Sequence, residues 1–230
     1  MVGYRLEKII EFLPELLGAL PLTIGVLLVS ILIGSILGAL LAWAQVGYQE
    51  NWGKVAKGYI FIIRCTPPIV LLFLVFYGLP EFVSWWLRID INGLSRATFT
   101  ILAMILLYGA TVAEVFKAAY LAVPKGQLEA GLSMGLTAFQ TFQRILLPQI
   151  LRISLPNLGN AILTLMKDVA LAYTIGLTDI MGASSLLIGR NLGNYSLETY
   201  TSAAIIYWGL ALILTFVIRW GEKRLSLGVR

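Results

Sequence analysis

Five ionisable residues fall inside or at the edge of long apolar runs: Arg64, Glu114, Arg152, Lys167 and Asp168. An ionisable group within a bilayer costs at least ~2.5–3.5 kcal/mol on insertion scales, so its default reading is a pathway or a partner. Glu114 and Asp168, if both face inward, can accept charge-assisted hydrogen bonds from an ammonium or guanidinium group. They suit transient binding of a cationic substrate such as arginine, lysine or histidine, with Arg64 a candidate for the α-carboxylate. Each has a plainer alternative. Asp168 could pair with Lys167 or Arg64, Glu114 with Lys117 at i,i+3, and Arg64 could anchor at an interface. Lys167 and Asp168 diverge by about 100° on a helix, which leaves Asp168 for the route and Lys167 snorkelling or paired elsewhere. The chain has no His and one Cys, Cys65. The commonest general base, the commonest metal ligand and any internal disulfide are therefore excluded. With no nucleophile motif and its carboxylates on separate spans, the chain gives a membrane enzyme little support.

Composition dictates what must hold these groups. Of 230 residues, 59% are hydrophobic and 13% charged, with a mean hydropathy of +0.86; soluble domains carry about 25% charged residues. A large soluble domain is excluded, and a bilayer is the solvent for the excess apolar surface. The net charge of +5 reads as the one-sided cation bias of membrane proteins rather than as a nucleic-acid surface. Charge-poor runs predict an all-α integral membrane fold, a single domain over 1–230 with five spans: about 16–44, 59–80, 97–116, 149–177 and 199–218. The first is long enough to cross with tilt or with a bend near Pro21, and residues 4–13 can form an interfacial helix with Leu6, Ile9, Ile10 and Leu13 on one face. No signal-peptide pattern is evident, so the first run stays in the mature chain.

Cation counts orient the bundle. With the C-terminus inside, inner segments hold ten: Lys54, Lys57, Lys117, Lys125, Arg144, Arg152, Arg219, Lys223, Arg224 and Arg230. Outer segments hold five: Arg5, Lys8, Arg88, Arg96 and Arg190. The bias puts the N-terminus outside, the C-terminus in the cytoplasm, and residues 124–148 in a cytoplasmic loop between spans three and four. Gly34-Ser-Ile-Leu-Gly38 permits close helix approach, either within the chain or across a dimer.

The 124–148 loop reads as helix, glycine hinge, helix. Pro124 suits a first helical position, Leu128 and Leu132 share a face, and Gly135 stops the helix after Met134. Thr137 and Gln140 form a capping box for a second helix, on which Phe139, Phe142, Ile145 and Leu146 fall at helical spacing. Pro148 marks re-entry into the membrane. On pattern alone this is either a knob with exposed apolar groups or an amphipathic loop lying on the leaflet.

Glu129-Ala-Gly, with Gly135 and Ile145-Leu-Leu-Pro148, resembles the EAA loop of ATP-binding cassette importer permeases, whose pattern is Glu-Ala-Ala, three residues, Gly, nine residues, Ile, one residue, Leu-Pro. Glu129, Ala130, Gly135, Ile145, Leu147 and Pro148 all fall in register. Gly131 replaces the second Ala, which loosens that turn. Ala113-Glu-Val-Phe-Lys117, Val123-Pro-Lys-Gly-Gln127, Arg64-Cys-Thr-Pro67 and Lys167-Asp-Val-Ala-Leu171 resemble the polar amino acid (histidine/arginine/glutamine) permease subgroup, with Cys65 for a usual Gly and Val169-Ala170 for a usual Thr-Ser.

The resemblance covers most of the chain. It implies the membrane-spanning subunit of an ATP-driven importer for a polar, cationic amino acid in a prokaryotic inner membrane. It also implies that the loop docks in a cleft of a cytoplasmic ATPase through Glu129, Ala130, Gly131, Gly135, Ile145, Leu147 and Pro148. The implied partners are an ATPase dimer that binds ATP and Mg, a second permease copy or paralogue, and an extracytoplasmic substrate-binding protein. The last would be received near Gly182-Ala-Ser-Ser185 and Arg190-Asn-Leu-Gly193, an exposed, turn-rich segment by sequence.

A phosphate-cradling loop needs Gly, four residues, then Gly-Lys-Ser/Thr. Gly47 to Lys54 has five intervening residues and then Val55, so this chain is expected to bind no cofactor and to hydrolyse nothing alone. An ATP-independent secondary transporter or channel is the alternative, and it leaves the ordered loop without a purpose.

Overall fold

A computed structural model describes residues 5–47 and 50–226. Tyr4 of the expected interfacial helix and Arg230 of the cation count lie outside the described residues. Every regular element among them is helical, and five stretches are long and apolar enough to cross a membrane: Leu20–Val46, Pro68–Leu87, Arg96–Ala122, Ala138–Ile175 and Ser196–Arg224.

The first two spans differ from expectation at prolines. Helices α1 (Leu6–Gly18) and α2 (Leu20–Val46) meet at Ala19 instead of forming one bent span. Pro21 lacks an N–H, so it fits the first turn of a new helix better than the middle of a long one. α1 buries Ile9, Phe12 and Leu16, whereas Leu6 and Ile10 are exposed, so its buried face is not the expected one. Helix α3 (Glu50–Cys65) stops before Thr66, and Pro67 is extended with ψ 138°. A residue that precedes proline is pushed out of the α region, and two prolines here do so twice. The second candidate span is therefore Pro68–Leu87, and Arg64 lies in the last turn of α3 rather than inside a span. It comprises α4 (Pro68–Phe73), a π-turn at Leu74–Gly78 and α5 (Leu79–Leu87).

After α6 (Arg96–Ala122) come α7 (Gly126–Ser133) and α8 (Ala138–Thr141). A second π-turn at Phe142–Leu146 leads into α9 (Leu147–Val169) and a 3-10 turn, Ala170–Ile175. The loop's second helix is thus not separate from the fourth span but flows into it. Both π-turns end two residues before a proline, Pro80 and Pro148. The missing proline N–H removes one i to i−4 bond, and the widened turn absorbs the defect. The chain ends in α10 (Ile180–Arg190) and α11 (Ser196–Ser226).

α6 is the centre of the bundle, with 56% of its apolar window buried against 17% for α11. Parallel to α6 runs α2, and glycines set their spacing. A Cβ on Gly34 would lie 2.8 Å from Tyr108 Cδ1, and one on Gly38 would lie 2.6 Å from Val112 Cγ1. The small-residue pattern therefore packs within the chain. At the end of the bundle far from α7, the Ser202 hydroxyl donates to the Ile9 carbonyl and the Ile180 N–H to Thr23 Oγ1, tying α1, α2, α10 and α11 together.

Candidate functional site

Asp168 is the penultimate residue of α9 and lines an open cavity of about 280 Å³ between α9 and α6. Asn157, Asn160 and Thr164 line it too, at helical spacing with Asp168, and Thr111 faces them from α6. The Thr111 and Thr164 hydroxyls donate to backbone carbonyls one turn earlier, those of Leu107 and Asn160. Their oxygens keep lone pairs free to accept. Asp168 is half-buried and makes no ion pair or hydrogen bond with a described residue. Exposed Lys167 does not line this space, as the divergence on the helix requires. The sequence reading missed the two asparagines, although a polar residue at every third or fourth position of an apolar span was a legible sign.

Glu114 is not here. It lines a second cavity of about 430 Å³, with Gln45, Lys57, Arg64 and Lys117, between α2, α3 and α6. The i,i+3 pair with Lys117 forms, Nζ to Oε1 at 3.4 Å. The expected convergence of Glu114 and Asp168 on one site is corrected: Glu114 on α6 and Asp168 on α9 line different cavities, and it is Glu114 and Arg64 that share one. Tyr59 donates to the Leu106 carbonyl at 2.9 Å, which holds α3 against α6 beside this space.

The segment from α7 to α9 forms a stiff elbow. Thr137 accepts from the Gln140 N–H at 3.2 Å while the Gln140 side chain accepts from the Thr137 N–H at 2.9 Å, so the capping box is complete. Gly135 has φ +84°, a left-handed value that closes α7 and that a Cβ would strain. Gly131 is buried, and a Cβ there would lie 2.4 Å from Thr141 Cγ2. Gly131 does not loosen the turn as expected; it lets α7 pack onto α8. Leu146 and Ile150 pack beneath against Ala119 and Val123 of the α6 end, while Ile145 and Leu147 are partly covered. Glu129, Ala130 and Pro148 are exposed, as are Met134 at 83% and Phe139 at 72%.

At the other end of the bundle, Gly182–Ser185 is corrected from turn to helix: it opens α10, with Gly182 and Ser184 buried. The turn lies at 191–195, where Leu192, Gly193 and Tyr195 have positive φ and Leu192 is exposed. Arg190 pairs with Glu15 across this surface. Asp179 caps α10, its Oδ1 accepting from the Gly182 N–H at 2.9 Å, while its buried Oδ2 has no partner. Burial raises its pKa to about 6 despite the hydrogen bonds at the cap. The Tyr207 hydroxyl lies near enough to ease the charge without reaching hydrogen-bonding geometry.

A helical membrane bundle with an ordered elbow and a polar groove is the build of a transport permease. Over residues 30–227 the chain matches the family of binding-protein-dependent transport system inner membrane components, and it belongs to that family. It is a multi-pass membrane protein. It is 36% identical to an L-cystine transport system permease protein of Bacillus subtilis (strain 168), over 97% of this chain and 92% of that one. With the histidine/lysine/arginine/ornithine transport system permease protein HisQ of Salmonella typhimurium it shares 33% identity over 90% of this chain and 92% of the relative. A crystal structure of an amino acid ABC transporter with histidines superposes with a TM-score of 0.83 at 25% identity, covering 97% of this chain and 100% of that one.

Proposed function

We propose that this chain is the membrane-spanning subunit of an ATP-driven importer of a polar amino acid, and that the Asp168 cavity is where a cationic one rests in transit. The observation that carries it is a carboxylate, Asp168, with no ion-pair or hydrogen-bond partner among the described residues, at one end of a groove whose other polar groups are Asn157, Asn160, Thr111 and Thr164. A carboxylate takes an ammonium or guanidinium group with charge-assisted hydrogen bonds, and the amides can orient the rest. HisQ, named for histidine, lysine, arginine and ornithine, supports the cationic class. The L-cystine permease supports a second reading, a zwitterionic substrate whose α-ammonium meets Asp168.

The cation bias supports an N-terminus outside and a C-terminus in the cytoplasm. The elbow then faces the cytoplasm and docks in a separate ATPase through Glu129, Ala130, Gly131, Gly135, Ile145, Leu147 and Pro148. ATP and Mg are bound by that ATPase. The permease works as a pair, with itself or a paralogue, and the far end receives a substrate-loaded binding protein. Family membership and the likeness to an amino acid ABC transporter support these partners.

Uptake of arginine, lysine, histidine and cystine by the reconstituted complex tests the site. Asp168→Asn is expected to cut uptake of the cationic substrates about 10–100-fold, the worth of one charge-assisted contact. Glu114→Gln, whose carboxylate already pairs with Lys117, is expected to act more weakly. Undiminished arginine, lysine and histidine uptake in Asp168→Asn sinks the cationic reading.

A further inference from the structure

The cavity between α2, α3 and α6 has the wrong charge for a cation. Its wall carries three cations, Lys57, Arg64 and Lys117, against one carboxylate, Glu114. Lys117 takes that carboxylate. Lys57 and Arg64 are left, seven residues apart on one face of α3, without an ion-pair partner among the described residues. Gln45 lines the same space, but its Nε2 and Oε1 are shut off from water and contribute no accessible donor to it. Two cations without an ion-pair partner around one space are the recognition set for an oxyanion.

The surroundings indicate where the oxyanion comes from. Phe61 lines the cavity between Lys57 and Arg64 and is exposed, as is its neighbour Ile62. Acyl chains therefore have an apolar surface beside the cations. Basic pockets between membrane helices, flanked in this way, hold acidic lipid headgroups. We propose that this cavity binds a phosphate group through Lys57 and Arg64, with an acidic phospholipid as the source its apolar flank favours. The site is separate from the Asp168 groove, since α9 contributes nothing to its lining.

The test uses the assembled permease–ATPase complex in nanodiscs of phosphatidylcholine, with and without phosphatidylglycerol, and reads retained phosphatidylglycerol by native mass spectrometry. A calorimetric titration with inorganic phosphate, in phosphatidylcholine alone, forms the second arm. Wild type and the charge-keeping Lys57→Arg/Arg64→Lys variant are expected to retain phosphatidylglycerol. Lys57→Gln/Arg64→Gln is expected to lose it about 10–30-fold, from two cations worth about tenfold or less each. If inorganic phosphate binds wild type and not the neutral variant while the lipid signal is equal, the site takes a free anion. Equal behaviour of wild type and the neutral variant with both probes overturns the proposal. Should the neutral pair fail to assemble, the single variants Lys57→Gln and Arg64→Gln must each show the same direction of loss. Because the readout is binding and not uptake, the result stands apart from the fate of the Asp168 reading.

Discussion

Gly131 and Thr141 fit together as a pair: the hydroxyl-bearing side chain fills the space a methyl group would need, 2.4 Å from the missing Cβ. Gly131→Ala should therefore destabilise the elbow by about 1–3 kcal/mol, the usual cost of overpacking. Adding Thr141→Ser should recover most of it, and melting temperatures of the four proteins of that cycle measure the coupling. Equal costs with and without the second change would refute the pairing. Asp179 offers a pH prediction. Its folded pKa, about 6, lies above its ordinary value because burial penalises the charge. Its favourable contribution is full below the unfolded pKa and is lost as pH rises through about 6. Asp179→Asn keeps a capping oxygen and removes the charge. It should flatten the fall in stability, read from melting temperatures, between about pH 4 and pH 6, a difference of about 1–3 kcal/mol. An unchanged slope would exclude Asp179 as its source.

Capping chemistry made the elbow the most legible element of the chain. Thr137, Gln140 and Gly135 specify their own backbone geometry, so local sequence sufficed and the structure shows each of them in place. The span boundaries were less legible where proline decides. Apolar periodicity cannot tell a bent helix from two abutting ones, so Pro21 and Pro67–Pro68 broke runs that hydropathy joins. Cavity membership was hidden for another reason: Glu114 and Thr111 lie one turn apart on α6, yet α3 and α9 claim them separately. Losing the Thr137 cap should cost about 1 kcal/mol. Thr137→Ala is expected to speed hydrogen exchange in 137–147 while leaving the α6 core protected. Uniform loosening across the chain would argue against the elbow as a distinct unit.

Four spans around α6 leave much apolar surface uncovered, most of all on α11. A bilayer covers some of it, but one such bundle is small for enclosing a gated path. The assembled complex, measured by mass in gentle detergent with its ATPase, should contain two permease chains; a single permease chain per complex would contradict that. The most direct test of the whole account is the ratio of amino acid taken up to ATP hydrolysed, in proteoliposomes with and without the ATPase and with Glu129→Lys in the elbow. The account predicts no uptake without the ATPase, and in Glu129→Lys a ratio at least about tenfold lower, as expected when a docking contact reverses its charge. Uptake without any hydrolysing partner, or an unchanged ratio in Glu129→Lys, would contradict it.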